Sequence, residues 1–289
     1  MQVHFRLLET SPGFRERQAE LELATAQRMS RGRVAREAQT VTVPVVVHVV
    51  YREEGENVST AQAKSQIAAL NRDFRAKNAD KSKVPAVWKG MVADARVEFK
   101  LARKDPSGKA TSGITRTRTT ETSFSDDDSV KSSSTGGVDP WPADTYLNIW
   151  VCTLSDGLLG YAQFPGGPRP TDGIVILNSA FGSAGTATAP FDLGRTATHE
   201  VGHWLNLRHI WGDTEDCTGS DLVSDTPNAA GPNFGKPAFP RVTCGNGPNG
   251  DMFMNYMDYV DDDSMVMFTP QQVVRMRAAI DGPRQGVKS

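Results

Sequence analysis

The chain concentrates its histidines in one short segment, THEVGHWLNLRH, which runs from Thr198 to His209. Three of the five histidines of the protein lie there, together with one glutamate. His199 and His203 are four residues apart, so on a helix their imidazoles project from the same face and can reach one ion. Glu200 lies beside that face. This H-E-x-x-H arrangement is typical of zinc hydrolases in which the glutamate is the general base.

A catalytic zinc site needs a third protein ligand in addition to water. His209 is the natural candidate, but it lies too far beyond His203 for a continuing helix to return it to the same ion. The helix must therefore end, and we expect this at Asn206, because asparagine tolerates left-handed backbone angles better than any residue except glycine. A structural zinc site or an inactive relic is the alternative. Glu200 argues against both, because a purely structural site has no use for a carboxylate beside an open coordination position.

Regular patterns surround this segment. Apolar and β-branched runs predict strands at residues 42–53 and 95–103 and within TYLNIWVCTL and DGIVILNSA, with GLLGYAQFP as a short edge strand. Helical spacing predicts one helix after Ser59 and another at residues 269–280. Residues 212–250 are rich in Gly, Asp, Asn, Thr and Pro without any period, which predicts loops.

Charge and hydropathy argue against two classes of partner. The formal net charge of −2 over 289 residues does not indicate nucleic acid or an anionic membrane. No apolar run approaches the roughly 20 residues that a membrane helix needs. The first ten residues lack a long apolar segment and include Arg6, so we expect no secretory signal here. The protein is then either intracellular or a processed or truncated form.

The N-terminal residues differ in composition from the rest of the chain. Residues 12–40 are polar and arginine-rich, with a helix expected around Leu21, Leu23 and Ala24. The stretch RMSRGRVAR is basic and is predicted to be flexible and open to proteases. Residues 1–40 are interpreted as an appendage to the main domain, and an ordinary N-terminal helix packed on the core is the alternative.

The three cysteines fall into two groups. Cys152 lies in an apolar strand-like run and is interpreted as a buried small hydrophobic residue. Cys217 and Cys244 flank the loop-rich segment. A disulfide between them would restrain a long loop and would suit an oxidising compartment.

Several segments resemble one protease family. HEVGHWLNLRH resembles the metzincin signature H-E-x-x-H-x-x-G-x-x-H, with Asn206 at the usual glycine, and MNYMDY (254–259) resembles the metzincin methionine turn. Together with LLGYAQFPGG and SDTPN, these motifs follow the order found in the pappalysin family, particularly its small microbial members. The similarity covers most of residues 42–282.

The resemblance implies an architecture. It is an α/β (α+β) metzincin-like fold with a twisted, mostly parallel sheet, an antiparallel edge strand and helices above a horizontal cleft. An active-site helix, a loop-rich C-terminal subdomain with the methionine turn, and a terminal helix would follow. Residues 1–40 would be a propeptide-like or N-terminal extension. Residues 41–289 would be the catalytic domain, divided into an upper subdomain (41–206) and a lower subdomain (207–289).

The resemblance also implies roles for residues near the metal. Met257 would be the methionine beneath the metal, and the phenol of Tyr259 would donate a hydrogen bond to the developing oxyanion. Asp262 would lie at the floor of the pocket for the residue after the scissile bond and would select Arg or Lys. Asp261 and Asp263 flank it, so the assignment could shift by one residue. A solvated acidic loop is the alternative.

Substrate and calcium sites are implied as well. Gly160, Tyr161 and Ala162 match an upper-rim strand to whose edge an extended substrate would add. Relatives bind calcium in the region DCTGSDLVSDTPN, where the most suitable ligands are Asp221, Asp225 and Thr226. An acidic turn cluster without an ion is the alternative. Cys217 and Cys244 match a family disulfide that closes this same region.

Latency in some relatives depends on a propeptide cysteine placed on the zinc. No cysteine precedes Cys152, so that switch is absent or was removed before Met1. Cleavage before Arg31, Arg33 or Arg36 would release the catalytic domain, and self-processing is possible because Asp262 predicts cleavage before basic residues.

The sequence therefore predicts a secreted zinc metalloendopeptidase with structural calcium. We expect a monomer that acts on peptides or proteins and has no nucleic-acid or membrane partner. Two alternatives remain open: a catalytically inactive zinc-containing binding protein and a zinc amidase that acts on small substrates. Cleavage of a peptide library would distinguish the protease from both.

Overall fold

The computed structural model of the protein describes residues 1–30 and 39–288. Its main sheet has six strands: β1 (Val41–Tyr51), β2 (Val97–Leu101), β3 (Ile114–Arg118), β4 (Leu147–Cys152), β5 (Gly160–Ala162) and β6 (Ile174–Leu177). Their order is β2-β1-β4-β6-β5, and β3 pairs with the second half of β1. All pairs are parallel except β5 with β6. The predicted mostly parallel sheet with an antiparallel edge strand is confirmed.

Within the described residues, five α-helices flank this sheet: α1 (Gln2–Thr10), α2 (Phe14–Ser30), α3 (Thr60–Asp73), α4 (Arg195–Trp204) and α5 (Pro270–Asp281). The N-terminus of α3 is capped by Ser59, whose hydroxyl accepts a hydrogen bond from the Gln62 amide at 3.1 Å. Thr269 and Gln272 form a capping box at the start of α5. Both helices begin where capping chemistry in the sequence indicates.

The two faces of the sheet are covered by different parts of the chain. Alternate residues of β1, such as Val43 and Val45, are fully buried in a core that also includes residues of α3, α4 and α5. The opposite face carries Trp150 and Val175, which belong to a second apolar cluster. That cluster includes Val3 of α1, so the N-terminal helices complete it. A parallel sheet buried on both faces explains why β1 is a nearly continuous apolar run.

The chain between α4 and α5 is loop-rich, as predicted. Its helices and named strands there are limited to a two-strand pair, β7 (Phe234–Gly235) with β8 (Tyr259–Val260). The predicted disulfide between Cys217 and Cys244 is present, and Cys152 is a buried free cysteine as expected. Within the described residues, no helix is both long enough and apolar enough to cross a membrane.

Candidate active site

The helix α4 places the first two histidines of the predicted site. His199 and His203 lie on consecutive turns of α4, which ends at Trp204. Asn206 then adopts a left-handed backbone conformation with φ of 72°, as its residue type indicated. This reversal returns the chain to the helix, so that His209 faces the other two histidines.

The three imidazoles converge through their Nε2 atoms. The Nε2 of His209 lies 3.2 Å from that of His199 and 3.1 Å from that of His203. The opposite nitrogen of each ring is engaged elsewhere. Nδ1 of His199 donates to the Tyr256 carbonyl oxygen at 2.7 Å, and Nδ1 of His203 donates to the Leu207 carbonyl oxygen at 2.8 Å. These bonds fix the tautomer in which Nε2 carries a lone pair.

The charge state of the three rings suits this arrangement to binding a cation. Burial lowers the pKa of His199 to about 4 and holds the pKa values of His203 and His209 well below the usual range, so all three rings are neutral. Three buried lone pairs then face one another with no proton to share. A tetrahedral zinc with Zn–N bonds of about 2.0–2.1 Å would hold its ligand nitrogens about 3.3 Å apart, close to the observed spacing. The residues therefore fit a zinc ion.

Asp213 and Trp211 support the third histidine, and sequence reasoning did not identify either. The Asp213 carboxylate accepts a hydrogen bond from Nδ1 of His209 at 2.6 Å. The indole of Trp211 stacks on the His209 ring, with centroids 4.2 Å apart and planes at 9°. A carboxylate that orients a metal-binding histidine is a common arrangement. The only sequence signal was an aspartate four residues beyond that histidine.

Glu200 lies beside the three histidines. Its side chain is largely buried and lines the same two cavities as His199. No hydrogen bond within the described part of the chain engages its carboxylate. Burial raises the pKa of Glu200 to about 8. A cation held nearby would favour the ionised form, so this carboxylate is suited to exchange a proton.

Strand β5 approaches Glu200 closely. A Cβ added at Gly160 would lie 2.8 Å from the Val175 carbonyl oxygen and 3.0 Å from Cγ of Glu200. Only glycine leaves room there for the carboxylate side chain. β5 is also an edge strand of the sheet, which leaves the backbone on one side of Gly160, Tyr161 and Ala162 without a strand partner in the described sheet. This strand edge borders the cavity that contains the histidines.

Met257 and Tyr259 lie two residues apart in the predicted methionine turn. Met257 is fully buried against α4. The ring of Tyr259 lies 4.7 Å from that of His209 and lines the cavities around it. Burial, together with the negative charge of nearby carboxylates such as Glu200, raises the pKa of Tyr259 above its usual range. Its phenol therefore remains a neutral hydrogen-bond donor.

A pocket extends from Glu200 to Asp262, with a volume of about 320 Å³. Asp262 is buried, and its Oδ2 accepts hydrogen bonds from the amides of Leu193 at 2.8 Å and Arg195 at 3.2 Å. Its Oδ1 has no partner within the described residues. Asp263 instead forms a surface ion pair with a lysine. Of these two aspartates, Asp262 is therefore the one that faces the pocket.

The predicted calcium ligands are only partly brought together. Asp221 and Thr226 are buried neighbours, with Oγ1 of Thr226 donating to Oδ2 of Asp221 at 2.6 Å. Burial raises the pKa of Asp221 to about 7. The carboxylate of Asp225 instead accepts hydrogen bonds at the start of α5, from Thr269 Oγ1 and from the Gln271 amide, both at 2.8 Å. The Asp225 side chain thus hydrogen-bonds to the N-terminus of α5.

The N-terminal helix α1 covers the site. Met1, Gln2, Val3 and Phe5 line the cavity that contains the three histidines. The ring of His4 lies against that of Phe164 at 4.4 Å. Neither this helix nor its position is predicted by the sequence. The arginines proposed there as cleavage sites, Arg31, Arg33 and Arg36, lie outside the described residues.

Comparison with known proteins identifies the family. The peptidase family model described as pregnancy-associated plasma protein-A matches residues 131–281. An extracellular metalloprotease of Arthroderma benhamiae is 30% identical over 243 residues, which cover 82% of this chain and 76% of that protein. An extracellular metalloprotease of Pyricularia oryzae is 31% identical over 287 residues, covering 96% of this chain and 88% of that protein.

Solved structures agree with the sequence relatives. Mature mirolysin of Tannerella forsythia in complex with a cleaved peptide is 52% identical with a TM-score of 0.86, and the match covers 87% of this chain and 96% of that one. A promirolysin mutant from the same organism is 46% identical with a TM-score of 0.91, covering 99% of this chain and 95% of that one. The fold is thus shared along nearly the whole chain, which belongs to the pappalysin family of metalloproteases.

Proposed function

We propose that this chain is a zinc-dependent endopeptidase in which Glu200 is the general base. The observation that carries the proposal is the convergence of three neutral imidazoles beside a buried carboxylate that has no other partner in the described residues. His199, His203 and His209 would hold the metal. When bound, zinc would supply a Lewis acid and lower the pKa of a water molecule towards neutrality.

The protein's own groups would handle the protons and the charge. The carboxylate of Glu200 would accept a proton as the peptide carbonyl is attacked and would deliver it to the leaving amine. The Tyr259 hydroxyl would donate a hydrogen bond to the carbonyl oxygen as negative charge develops there. The unpaired edge of β5 would bind the substrate backbone in an extended conformation, with Gly160 nearest to Glu200.

Asp262 supports a preference for Arg or Lys after the scissile bond. Its Oδ1 is buried and has no partner among the described residues, and a buried carboxylate gains most from a cationic partner. It lines the pocket that begins at Glu200. A basic substrate side chain entering this pocket would therefore pair with Asp262, whereas a neutral one would leave the carboxylate unpaired.

Residues 1–40 are proposed to be an inhibitory pro-segment. α1 lines the same cavity as the histidines and the edge of β5, so it would occupy space that an extended substrate needs. The promirolysin match covers 99% of this chain and the mature mirolysin match 87%. That difference is similar in size to the N-terminal segment. The catalytic domain would then be residues 41–289, with 41–206 above the cleft and 207–289 below it.

A structural calcium ion and secretion are also proposed. Buried Asp221 and Thr226 offer adjacent oxygen ligands, and the surrounding loop has little regular structure to hold it in place. The disulfide between Cys217 and Cys244 is suited to an oxidising compartment. Relatives named as extracellular metalloproteases support secretion.

Digestion of a mixed peptide library, followed by mass spectrometry, tests the proposed peptidase activity, its zinc dependence and its preference for basic residues. The protease proposal predicts fragments whose first residue is Arg or Lys, and it predicts that a zinc chelator abolishes them. If zinc is retained but no peptide is cut after the N-terminal segment has been removed, the protein is a metal-containing binding protein instead.

A further inference from the structure

The helix α2 is attached to the rest of the protein along its whole length. Near its start, Arg17 Nε donates to the Gly166 carbonyl oxygen at 2.6 Å, and the adjacent Gln18 donates to a neighbouring carbonyl. Near its end, Arg28 forms an ion pair with Asp281 of α5 at 2.7 Å. These contacts extend from the loop after β5 to the C-terminal helix.

Glu22, in the middle of α2, makes a more buried contact. Its two carboxylate oxygens accept hydrogen bonds from both terminal nitrogens of Arg275 in α5, at 2.6 and 2.8 Å. The side chain of Arg275 is only 2% exposed. Glu22 also accepts a hydrogen bond from the side-chain amide of Asn206 at 3.1 Å. The Glu22 side chain is 25% exposed, so the pair is buried on the arginine side and partly open to water on the glutamate side. Such a partly desolvated pair contributes more than a fully exposed surface ion pair.

This ion pair reaches the turn that positions the metal-binding histidines. Arg275 donates through Nε and Nη2 to the carbonyl oxygen of Asn206, at 3.2 and 3.1 Å. Asn206 is the left-handed residue between His203 and His209. The pocket formed by Arg275 and Asn206 therefore lies on the catalytic domain, while the carboxylate that fills it comes from the N-terminal segment.

The charge state of Glu22 is consistent with an ion pair to Arg275. Burial would raise its pKa, but the hydrogen bonds and charge of Arg275, the Asn206 amide and the charge of Arg208 together hold that pKa below its usual range. Glu22 is therefore ionised at neutral pH. If Glu22 were made neutral while α2 stays docked, Arg275 would keep a buried positive charge whose remaining partner there is a neutral carbonyl group, which is unfavourable.

We propose that Arg275 and Asn206 form an anion-binding pocket for Glu22, and that this anchor keeps residues 1–30 bound after the chain is cut between residues 30 and 39. The inference rests on the inhibitory role proposed for the N-terminal segment. The contacts described for α2 join residues of 1–30 to residues 165–281, so none of them depends on the covalent link through residues 31–38. α2 is the anchor that retains the segment, and α1 is the part that covers the histidines.

Activation therefore has two steps: the linker is cut, and then residues 1–30 dissociate. The second step is limited by Glu22, because loss of one partner of a buried ion pair raises the dissociation rate. The catalytic domain would also rebind the segment as a separate peptide, which would make it an inhibitor at high concentration.

To test the Glu22 anchor, residues 31–38 of the full chain are replaced by the recognition sequence of a site-specific protease, which is then added to cut the linker. A Glu200→Gln background prevents digestion of the released segment. After the cut, gel filtration and mass spectrometry measure how fast residues 1–30 separate. We expect the fragment to stay bound in the parent and to dissociate at least ~10-fold faster in Glu22→Gln, which keeps the shape of the side chain but removes its charge. Glu20→Gln, on the exposed side of the same helix, should behave like the parent.

A second measurement separates this inference from the proposed function. With Glu200 intact, peptidase activity after the cut should appear sooner in Glu22→Gln than in the parent. Equal dissociation rates in the parent and Glu22→Gln, or immediate loss of the fragment from the parent, would refute the anchor. If the Glu22→Gln fragment dissociates faster as expected but no peptidase activity follows, the anchor stands and the proposed protease function fails.

Discussion

The sulfur of Met257 lies against the backbone of Gly202, so close that a Cβ at position 202 would come within 2.5 Å of it. Gly202 is in α4 between the first two histidines of the site. Met257 follows Tyr256, whose carbonyl oxygen accepts the hydrogen bond from Nδ1 of His199. The glycine thus permits the methionine turn to approach the helix directly behind the imidazoles, and the position of the turn in turn orients His199.

Gly202→Ala tests this contact. Alanine normally stabilises a helix interior relative to glycine by about 0.5–1 kcal/mol, whereas overpacking a buried site costs about 1–3 kcal/mol. Because the sulfur is held in a fully buried core, we expect the clash to dominate. The variant should unfold at a temperature several degrees lower, about 2–4 °C for each kcal/mol, and should bind zinc more weakly. Thermal unfolding and zinc titration measure both effects.

Gly90→Ala is the matched control, because a Cβ at Gly90 meets nothing within 4 Å. It should unfold at the parent temperature or slightly above it and bind zinc as the parent does. If Gly202→Ala matched this control in both measurements, the close approach of Met257 would not constrain the site.

Glu200→Gln should separate metal binding from catalysis. The three histidines are held by Tyr256, Leu207 and Asp213, none of which involves Glu200. The variant should therefore retain zinc, while kcat/KM falls by about 10²- to 10⁴-fold with the loss of the proton acceptor. Metal analysis of the purified protein and peptide hydrolysis provide the two readings. Hydrolysis at the parent rate would exclude Glu200 as the base.

The proposed selectivity for basic residues should depend on pH through Asp262. Burial raises the pKa of its carboxyl to about 6. The carboxylate that attracts Arg or Lys is thus present above pH 6 and is lost as the pH falls through that value. The ratio of kcat/KM for an arginine peptide to that for its neutral isostere should rise about tenfold or more from about pH 5 to about pH 7.5. Taking a ratio cancels pH effects at the metal that both peptides share.

Asp262→Asn should give a low ratio that does not change with pH. Its amide oxygen can still accept from the Leu193 and Arg195 amides, so the start of α4 keeps its partners. A parent ratio that stays constant over the same pH range would mean that Asp262 does not contact the substrate.

The sequence was most informative where function depends on short-range spacing. The interval from His199 to His203 predicts one shared helix face, and Asn206 predicts the reversal that brings in His209; the structure has both features. The carboxylate of Asp213 was missed because the chain around it is not helical, so an interval of four residues carries no geometric meaning there.

Elements that depend on tertiary packing were harder to predict. β3 alternates threonine and arginine and is at most half-buried, so it lacks the apolar signal of the other strands. α1 is a short helix whose apolar residues, such as Val3 and Leu7, are buried only because they pack against the outer face of the sheet. Isolated helices of this length are marginal in water, and the covering of the cleft cannot be inferred from local sequence.

Calcium should stabilise the protein more at alkaline than at acidic pH. Burial raises the pKa of Asp221 from 3.8 to about 7. Without calcium, this group contributes stability that is fully present below about pH 4 and is lost as the pH rises through about 7. A calcium ion would bind the ionised form and offset that loss. We therefore expect calcium at about 100 times its Kd to raise the unfolding temperature by about 5–10 °C at pH 8 and by clearly less at pH 6.

Substituting each of three aspartates in the same loop shows which of them is a calcium ligand. Asp221→Asn should remove the stabilisation by calcium. Asp216→Asn should change nothing, because Asp216 is exposed. Asp225→Asn should lower the unfolding temperature equally with and without calcium, because its carboxylate holds the first turn of α5. If the parent and Asp221→Asn gained the same stability from calcium, Asp221 would not be a ligand. If Asp225→Asn alone lost the calcium effect, the site would have to be reassigned to that carboxylate.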